Sequence, residues 1–220
     1  MKSSTTSWPG TLTFSSTTQA ALLTAVVALV ACAPHHTPRQ GAKLREAQEI
    51  ADRTTAAYGV PRVKVYTTPL FGAVGVYRDR EGWIMLRPDI LDDIDFLSTI
   101  AHELGHVTLG HKVLGGDICD PERANAQGLW KCVPIRSPQG KAWLQKMELD
   151  ANARAIEIMV RVMGMTQAAA LRRFAALLVR NANLRPRGGH LGGCRELDDL
   201  LSRFPPVTEF PPPQTCWPRR

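Results

Sequence analysis

The stretch from Leu97 to Val107 reads LSTIAHELGHV, and it decides the fold around it. Its apolar residues recur at helical spacing and predict a helix with one buried stripe. Because residues four apart lie on one face of a helix, His102 and His106 can bind one metal ion together. Glu103 stands beside the first ligand, where a carboxylate can act as general base on a metal-bound water. The segment is too apolar for a solvated surface helix with incidental histidines.

A zinc ion held by two histidines needs a third protein ligand and one open position for water. One candidate is His111, because some zinc helices continue as HExxHxxGxxH. Here Gly110 and His111 each miss the required place by one residue. In a continuous helix His111 would also lie about 140° around the axis from His106. We therefore predict that His111 ends the helix and does not bind the metal.

The better candidate for the third ligand is Glu148, on a later predicted helix. Zincins with a glutamate ligand follow it, four residues later, with an aspartate that orients the first histidine by accepting its hydrogen bond. Asn152 stands at that orienting position. An asparagine can accept the bond through its carbonyl oxygen but adds no negative charge. The alternatives are that Asp150 is the ligand, or that this is only a charged helix face.

Two stretches together carry a resemblance to a known family. Residues 102–111 read HELGHVTLGH, and residues 148–178 read ELDANARAIEIMVRVMGMTQAAALRRFAALL. They resemble the gluzincin metallopeptidases of the HtpX, CAAX prenyl endopeptidase and BepA- and LoiP-type group. The resemblance covers residues 40–204. It implies a minimal zincin-like fold, one Zn²⁺ per chain and Glu148 as its third protein ligand.

The same resemblance implies roles for two residues near the C-terminal end of the domain. Many members carry a histidine followed by an arginine there, and His190 and Arg195 resemble this pair, with Arg195 one place out of register. His190, with Arg195, would stabilise the oxyanion formed during hydrolysis. The alternative for His190 is a loop residue in a Gly-rich stretch. Asn152 also resembles the E-x-x-A-N motif of the cytosolic ImmA/IrrE family, whose members cleave or bind transcriptional regulators.

Residues 1–31 are predicted to be a lipoprotein signal peptide. Residues 20–31 read AALLTAVVALVA, an apolar run too short for a comfortable transmembrane helix. The run ends in LVAC, which resembles a bacterial lipobox with Cys32 as the acylated residue. An ordinary signal peptide or a buried apolar helix is the alternative, because the start of the chain carries little positive charge. We expect residues 32–40 to tether the domain to an envelope membrane, facing the periplasm, with the outer membrane favoured because Ala33 is not an aspartate.

If Cys32 carries lipid, four cysteines remain: Cys119, Cys132, Cys194 and Cys216. An even number outside the cytoplasm predicts disulfides, and proximity in sequence favours Cys119–Cys132 and Cys194–Cys216. A cysteine-based zinc site is disfavoured because no Cys-x-x-Cys pair exists. Free thiols are the alternative if the lipoprotein prediction is wrong.

The order of a helix, short strands and then further helices predicts an α+β fold. We expect a small, mainly antiparallel sheet packed on the HExxH helix, within a metallopeptidase domain over residues 41–204 and before a Pro-rich tail over 205–220. Asp95 is predicted to cap the HExxH helix. Residues 115–140 are predicted to be a looser region. The strand at 83–86 is a candidate edge strand, to which an extended substrate could pair.

These patterns together predict a lipid-anchored zinc endopeptidase that cleaves extracytoplasmic proteins, with a polypeptide as its substrate. The chain has 220 residues, 44% of them hydrophobic, which is enough for one domain with a core. Its net charge is +7, but Lys and Arg are scattered and no nucleic-acid motif is present, so nucleic acid is not a predicted partner. One alternative is a non-catalytic zinc-containing envelope lipoprotein that docks an assembly partner, against which the intact Glu103 counts. The other is a cytosolic ImmA-like regulator protease, against which the signal segment and paired cysteines count.

Overall fold

The computed structural model describes residues 36–69, 75–78, 82–114, 116–120, 131–181, 190–204 and 216. Within these ranges the chain has the predicted α+β class. The α-helices are α1 (Pro38–Tyr58), α2 (Phe96–Thr108), α3 (Pro138–Arg161), α4 (Gln167–Asn181) and α5 (Gly193–Arg203), and a 3₁₀ helix spans Pro88–Asp92. The strands are β1 (Lys64–Thr67), β2 (Gly75–Arg78), β3 (Trp83–Leu86), β4 (Lys112–Leu114), β5 (Asp117–Asp120) and β6 (Lys131–Pro134). The predicted signal peptide (1–31), Cys32 and most of the tail (205–220) lie outside the described residues.

Helix α1 begins at a capping box, with Thr37 at the N-cap position. The Thr37 side chain accepts a hydrogen bond from the Gln40 backbone, the Gln40 side chain bonds back to Thr37, and Pro38 stands at the first helical position. This capping box starts the helix inside the segment 32–40 that was assigned to the tether. The tether prediction is therefore wrong for residues 38–40. The helix ends at Gly59, whose φ of 65° closes it in the left-handed conformation.

The first sheet has the strand order β1–β3–β2. Strand β3 pairs with β1 in parallel, with Val65 opposite Ile84, and with β2 antiparallel, with Tyr77 opposite Ile84. The prediction that the strand at 83–86 lies at an edge is therefore wrong, because neighbours hydrogen-bond to both of its sides. The sheet is also mixed and not mainly antiparallel, a difference that comes from the parallel β1–β3 pair. Ile84 and Leu86 are fully buried, as expected for a central strand.

Helices α2 and α3 pack closely at Gly105. A Cβ atom at Gly105 would lie 2.6 Å from the backbone oxygen of Ala151, so only glycine permits this approach. Ile100 and Leu104 of α2 and Ile156 and Met159 of α3 are fully buried in the core. The close contact at Gly105 brings the histidine face of α2 against the part of α3 that carries Glu148.

The start of α2 differs from the prediction in one respect. Asp95 occupies the N-cap position, but its side chain makes no capping hydrogen bond. The carboxylate instead pairs with Arg180 of α4, whose Nε lies 2.9 Å from Asp95 Oδ2. The ion pair takes the oxygens that capping would have needed, and it ties the beginning of α2 to the end of α4.

The predicted looser region at 115–140 contains a second sheet in its described part. Strands β4, β5 and β6 pair antiparallel in sequence order. Cys119 of β5 stands opposite Cys132 of β6, and the two form a disulfide. A second disulfide joins Cys194 to Cys216. Both pairings match the predicted connectivity.

The described helices give no membrane span. None of the helices in the residues that the structure describes is both long and apolar enough to cross a bilayer.

Candidate metal centre

His102 and His106 form the first half of the site, on one face of α2. Their Nε2 atoms lie 3.1 Å apart. Both side chains are largely buried, with 13% and 12% of their surface exposed. The predicted spacing of four residues therefore brings both imidazoles to one point.

Glu148 of α3 completes the group. Its Oε2 lies 3.2 Å from His102 Nε2 and 3.5 Å from His106 Nε2. Burial alone would raise the pKa of Glu148, but the two imidazoles hold that pKa well below its ordinary value, so the side chain is a carboxylate. Asp150, the alternative ligand, has its two oxygens on Lys146 and Arg203, at 2.6 Å and 2.7 Å. These three side chains could hold a metal ion, and they are the three that the ligand prediction named.

The geometry of the three ligand atoms fits a tetrahedral ion. Zn–N and Zn–O bonds of about 2.0–2.1 Å place ligand atoms about 3.3–3.4 Å apart. The three separations here are 3.1, 3.2 and 3.5 Å. Glu148 Oε2 is also buried, and no group in the described part of the chain lies in hydrogen-bonding geometry to it. A buried charged oxygen of this kind needs a cation, and two neutral imidazoles with one carboxylate suit a borderline divalent metal.

Asn152 orients the His102 ring through a hydrogen bond to Nδ1, the nitrogen that does not face Glu148. Its Oδ1 lies 2.8 Å from His102 Nδ1, which is the contact that the spacing of Glu148 and Asn152 predicted. The Asn152 amide in turn donates from Nδ2 to Glu196 Oε2 at 3.2 Å. An amide oxygen only accepts, so His102 Nδ1 carries a proton, which leaves Nε2 as the nitrogen that can bind a metal.

His111 contacts the equivalent nitrogen of the other ligand histidine, His106 Nδ1. Its Nδ1 lies 2.8 Å from His106 Nδ1, and its side chain is buried. Burial, followed by the neighbouring His106, lowers the pKa of His111 to about 3, so the ring is neutral. His111 is not one of the three side chains that could hold a metal ion, because its ring meets His106 at Nδ1, whereas His106 Nε2 faces Glu148. It does not lie on the far side of α2, where a continued helix would have placed it. The helix stops at Thr108, and Gly110 with a φ of 65° turns the chain so that His111 returns beneath His106.

Glu103, next to His102 on α2, is buried against strand β2. It accepts a hydrogen bond from the Tyr77 backbone, and a Cβ atom at Gly75 would lie only 2.8 Å from its Oε1. The absence of a side chain at Gly75 lets β2 approach the carboxylate. Burial raises the pKa of Glu103 to about 7, although the adjacent His102 opposes that rise. A carboxyl group of this kind is suited to both accept and release a proton.

His190 reaches the group from the loop before α5. Its Nε2 lies 3.6 Å from Glu148 Oε2, and its Nδ1 lies 3.1 Å from Glu196 Oε1. The hydrogen bond to Glu196 raises the pKa of His190 to about 9, against the opposing effect of burial. Half of the side-chain surface is exposed, so His190 forms part of the open side of the site.

Arg195 does not join the site in the described residues. Its side chain is exposed on α5, and the next residue, Glu196, is the one that faces inward. The one-residue shift noted in the sequence therefore turns the arginine outward.

Glu196 itself and the orienting position of His111 were not predicted. Glu196 lies in the charged run Arg195-Glu196-Leu197-Asp198-Asp199, in which no local pattern separates an inward carboxylate from the exposed ones.

Comparisons with known proteins add no family to this description. A scan against protein-family models, a search of curated proteins and a search of solved structures each found no match for this chain.

Proposed function

We propose that this protein is a zinc-dependent endopeptidase of the cell envelope. The observation that carries the proposal is the convergence of His102, His106 and Glu148 within 3.5 Å of one another, with the buried carboxyl of Glu103 next in sequence to the first ligand. Two histidines and a glutamate leave one position open on a tetrahedral ion, which is the arrangement of catalytic and not of structural zinc.

The chain supplies the proton transfers that peptide hydrolysis requires. A bound Zn²⁺ would lower the pKa of a water and polarise the scissile carbonyl. Glu103 accepts the proton of the attacking water and delivers it to the leaving amine. Its burial against β2 and its hydrogen bond from Tyr77 fix the carboxyl group in place for both steps.

His190 is the candidate for stabilising the oxyanion. Glu196 accepts from Nδ1 and so holds the ring with its Nε2 on the side of Glu148. A proton on Nε2 is then available to the substrate oxygen as negative charge develops. Arg195 is removed from this role because its side chain is exposed on α5.

Strand β2 replaces β3 as the strand to which a substrate would pair. Among the strands that the structure describes, it pairs with β3 alone, and it lies directly against Glu103. An extended polypeptide could add to its other side through main-chain hydrogen bonds. This mode selects flexible or unfolded segments, which suits the removal of damaged envelope proteins.

The envelope location is supported by the two disulfides, which persist in oxidising compartments, and by the lipobox-like sequence at Cys32. The lipid anchor predicts that a Cys32→Ala protein leaves the membrane fraction of cells that produce it. A variant that stays in the membrane fraction, or a wild type found in the cytosol, contradicts this part of the proposal.

The catalytic part is tested with Glu103→Gln in the full chain, loaded with Zn²⁺ and offered casein as an unfolded substrate. We expect the variant to keep one zinc per chain and to lose about 10²–10⁴-fold in cleavage rate, the usual contribution of a general base. Glu157→Gln, an exposed site on α3, makes the same change of charge and serves as control. Zinc-loaded wild type that cleaves no protein substrate would leave only a non-catalytic, metal-binding role.

A further inference from the structure

Glu196 is a buried carboxylate that the proposed hydrolysis does not use directly. Only 3% of its surface is exposed. Its Oε2 accepts from Asn152 Nδ2 at 3.2 Å, and its Oε1 accepts from the Leu191 backbone at 2.9 Å and from His190 Nδ1 at 3.1 Å. The Glu196 side chain therefore contacts both Asn152, which bonds to His102, and His190, which lies on the open side of the site.

The hydrogen-bond polarity runs in one direction through this cluster. An ionised carboxylate only accepts, so the Asn152 amide must turn its Nδ2 toward Glu196. Its Oδ1 then faces His102, which must donate from Nδ1. That leaves the lone pair of His102 Nε2 pointing at His106 and Glu148, which is the tautomer that can bind a metal.

We propose that Glu196 is a positioning residue that fixes His102 in its metal-binding tautomer through Asn152, so that the charge absent from position 152 is supplied from α5. The inference rests on the metal centre of the proposed function but not on proteolysis. It assigns Asn152 and Glu196 to one unit, an amide and a carboxylate that together carry a single negative charge.

Glu196→Gln breaks this unit in a defined way. The Leu191 N–H can only donate, so it holds the Gln oxygen at the place of Oε1. The Gln amide nitrogen then faces Asn152 Nδ2, and two donors cannot bond. Asn152 must turn over and present its nitrogen to His102, which then shifts its proton to Nε2 and loses the lone pair that binds metal.

Exchanging the two groups restores the polarity. In the double variant Asn152→Asp/Glu196→Gln, the carboxylate at 152 accepts from both His102 and the Gln amide. The number of charges equals that of the wild type. Asn152→Asp alone places two carboxylates in contact and is expected to weaken the site as well. A role of Glu196 in general packing predicts no such recovery, because the double variant carries both changes.

The experiment measures Zn²⁺ affinity of the full chain by competition with a chromophoric chelator. We expect Glu196→Gln to lower the affinity by about 10–100-fold, the usual effect of losing an outer-shell partner, and the double variant to return to within a few-fold of wild type. Glu157→Gln, exposed on α3, controls for the loss of a charge. Unchanged affinity in Glu196→Gln, or a folded double variant that binds no better than the single one, overturns the proposal.

A second readout needs no metal. In ¹⁵N-correlated NMR spectra recorded without metal, His102 should show a hydrogen-bonded Nδ1–H in the wild type and the double variant, and should lose the proton on Nδ1 in Glu196→Gln. An unchanged Nδ1–H signal in Glu196→Gln overturns the proposal even where zinc binding fails. If Glu196→Gln does not fold, Asn152→Ala tests the same link, because Glu196 keeps its bonds to Leu191 and His190. Wild-type zinc affinity in that variant also overturns the proposal.

Discussion

The two histidines of the metal centre occupy equivalent places on α2 but are held from behind in different ways. His102 donates to Asn152, which bonds onward to the carboxylate of Glu196, so its support comes from α3 and α5. His106 contacts His111, a neutral ring five residues along the same segment. One ligand is thus oriented by a distant charge and the other by a local, uncharged partner.

The two ligand histidines of one site are therefore oriented by two different kinds of partner. A charged partner strengthens the basicity of a ligand histidine, whereas a neutral partner fixes only its tautomer and direction. The long-range support depends on how α3 and α5 pack, while the local support depends on the turn at Gly110. Substitutions at the ligands and behind them should therefore separate the two contributions.

The largest effect should come from removing either ligand histidine, and the loss of zinc affinity should be similar for the two. His102→Ala and His106→Ala each take away one of three protein ligands, so we expect zinc affinity to fall by about 10³-fold or more in both. Isothermal titration with Zn²⁺ measures this. If one variant keeps affinity near the wild-type value, that histidine is not a ligand.

Asn152→Leu should produce the next largest effect. The substitution leaves His102 Nδ1 and Glu196 Oε2 without their partner, and we expect zinc affinity to fall by about 100-fold, at the upper end of the usual range. Competition with a chelator gives the number. A loss smaller than that of His111→Leu would reverse the comparison between the two sides.

His111→Leu should cost less, about 10-fold in zinc affinity, because the partner that is lost carries no charge. The same competition assay applies. His111→Gln can restore an acceptor for His106 Nδ1 and should recover part of the affinity, so equal losses in both variants would contradict an orienting role.

The smallest effect is expected from Arg195→Ala, although its neighbour Glu196 is central to the cluster. Exposed positions change stability by at most about 0.5 kcal/mol, so zinc affinity and casein cleavage should stay within about twofold of wild type. His190→Ala is the matched comparison and should lower cleavage while leaving zinc affinity nearly unchanged. A large loss of cleavage in Arg195→Ala would return the arginine to the site.

The ligand side of the site could be predicted because its geometry is local. The i, i+4 spacing of His102 and His106 and the same spacing of Glu148 and Asn152 fix which side chains share a helix face. Proximity in the chain was also sufficient for the two disulfides, whose cysteines stand 13 and 22 residues apart. The α+β class followed from the order of periodic segments.

What could not be predicted depends on contacts between distant segments or on one turn. The central place of β3 requires its parallel pairing with β1, which no alternation within β3 reveals. Glu196 acquires its role only when α5 packs beside Asn152, and Asp95 pairs with Arg180 across the fold instead of capping its own helix. His111 was placed by continuing an ideal helix, whereas Gly110 ends that helix and redirects the chain.

The contact at Gly105 has a consequence for how the HExxH pattern is used to recognise such chains. The pattern treats its third and fourth places as wildcards, open to any amino acid. In this protein those places are Leu104, which is fully buried, and Gly105, whose side-chain space is filled by the Ala151 backbone. A library randomised at these two codons should therefore yield few folded members. The two positions that the pattern leaves unspecified are, in this chain, among the most restricted.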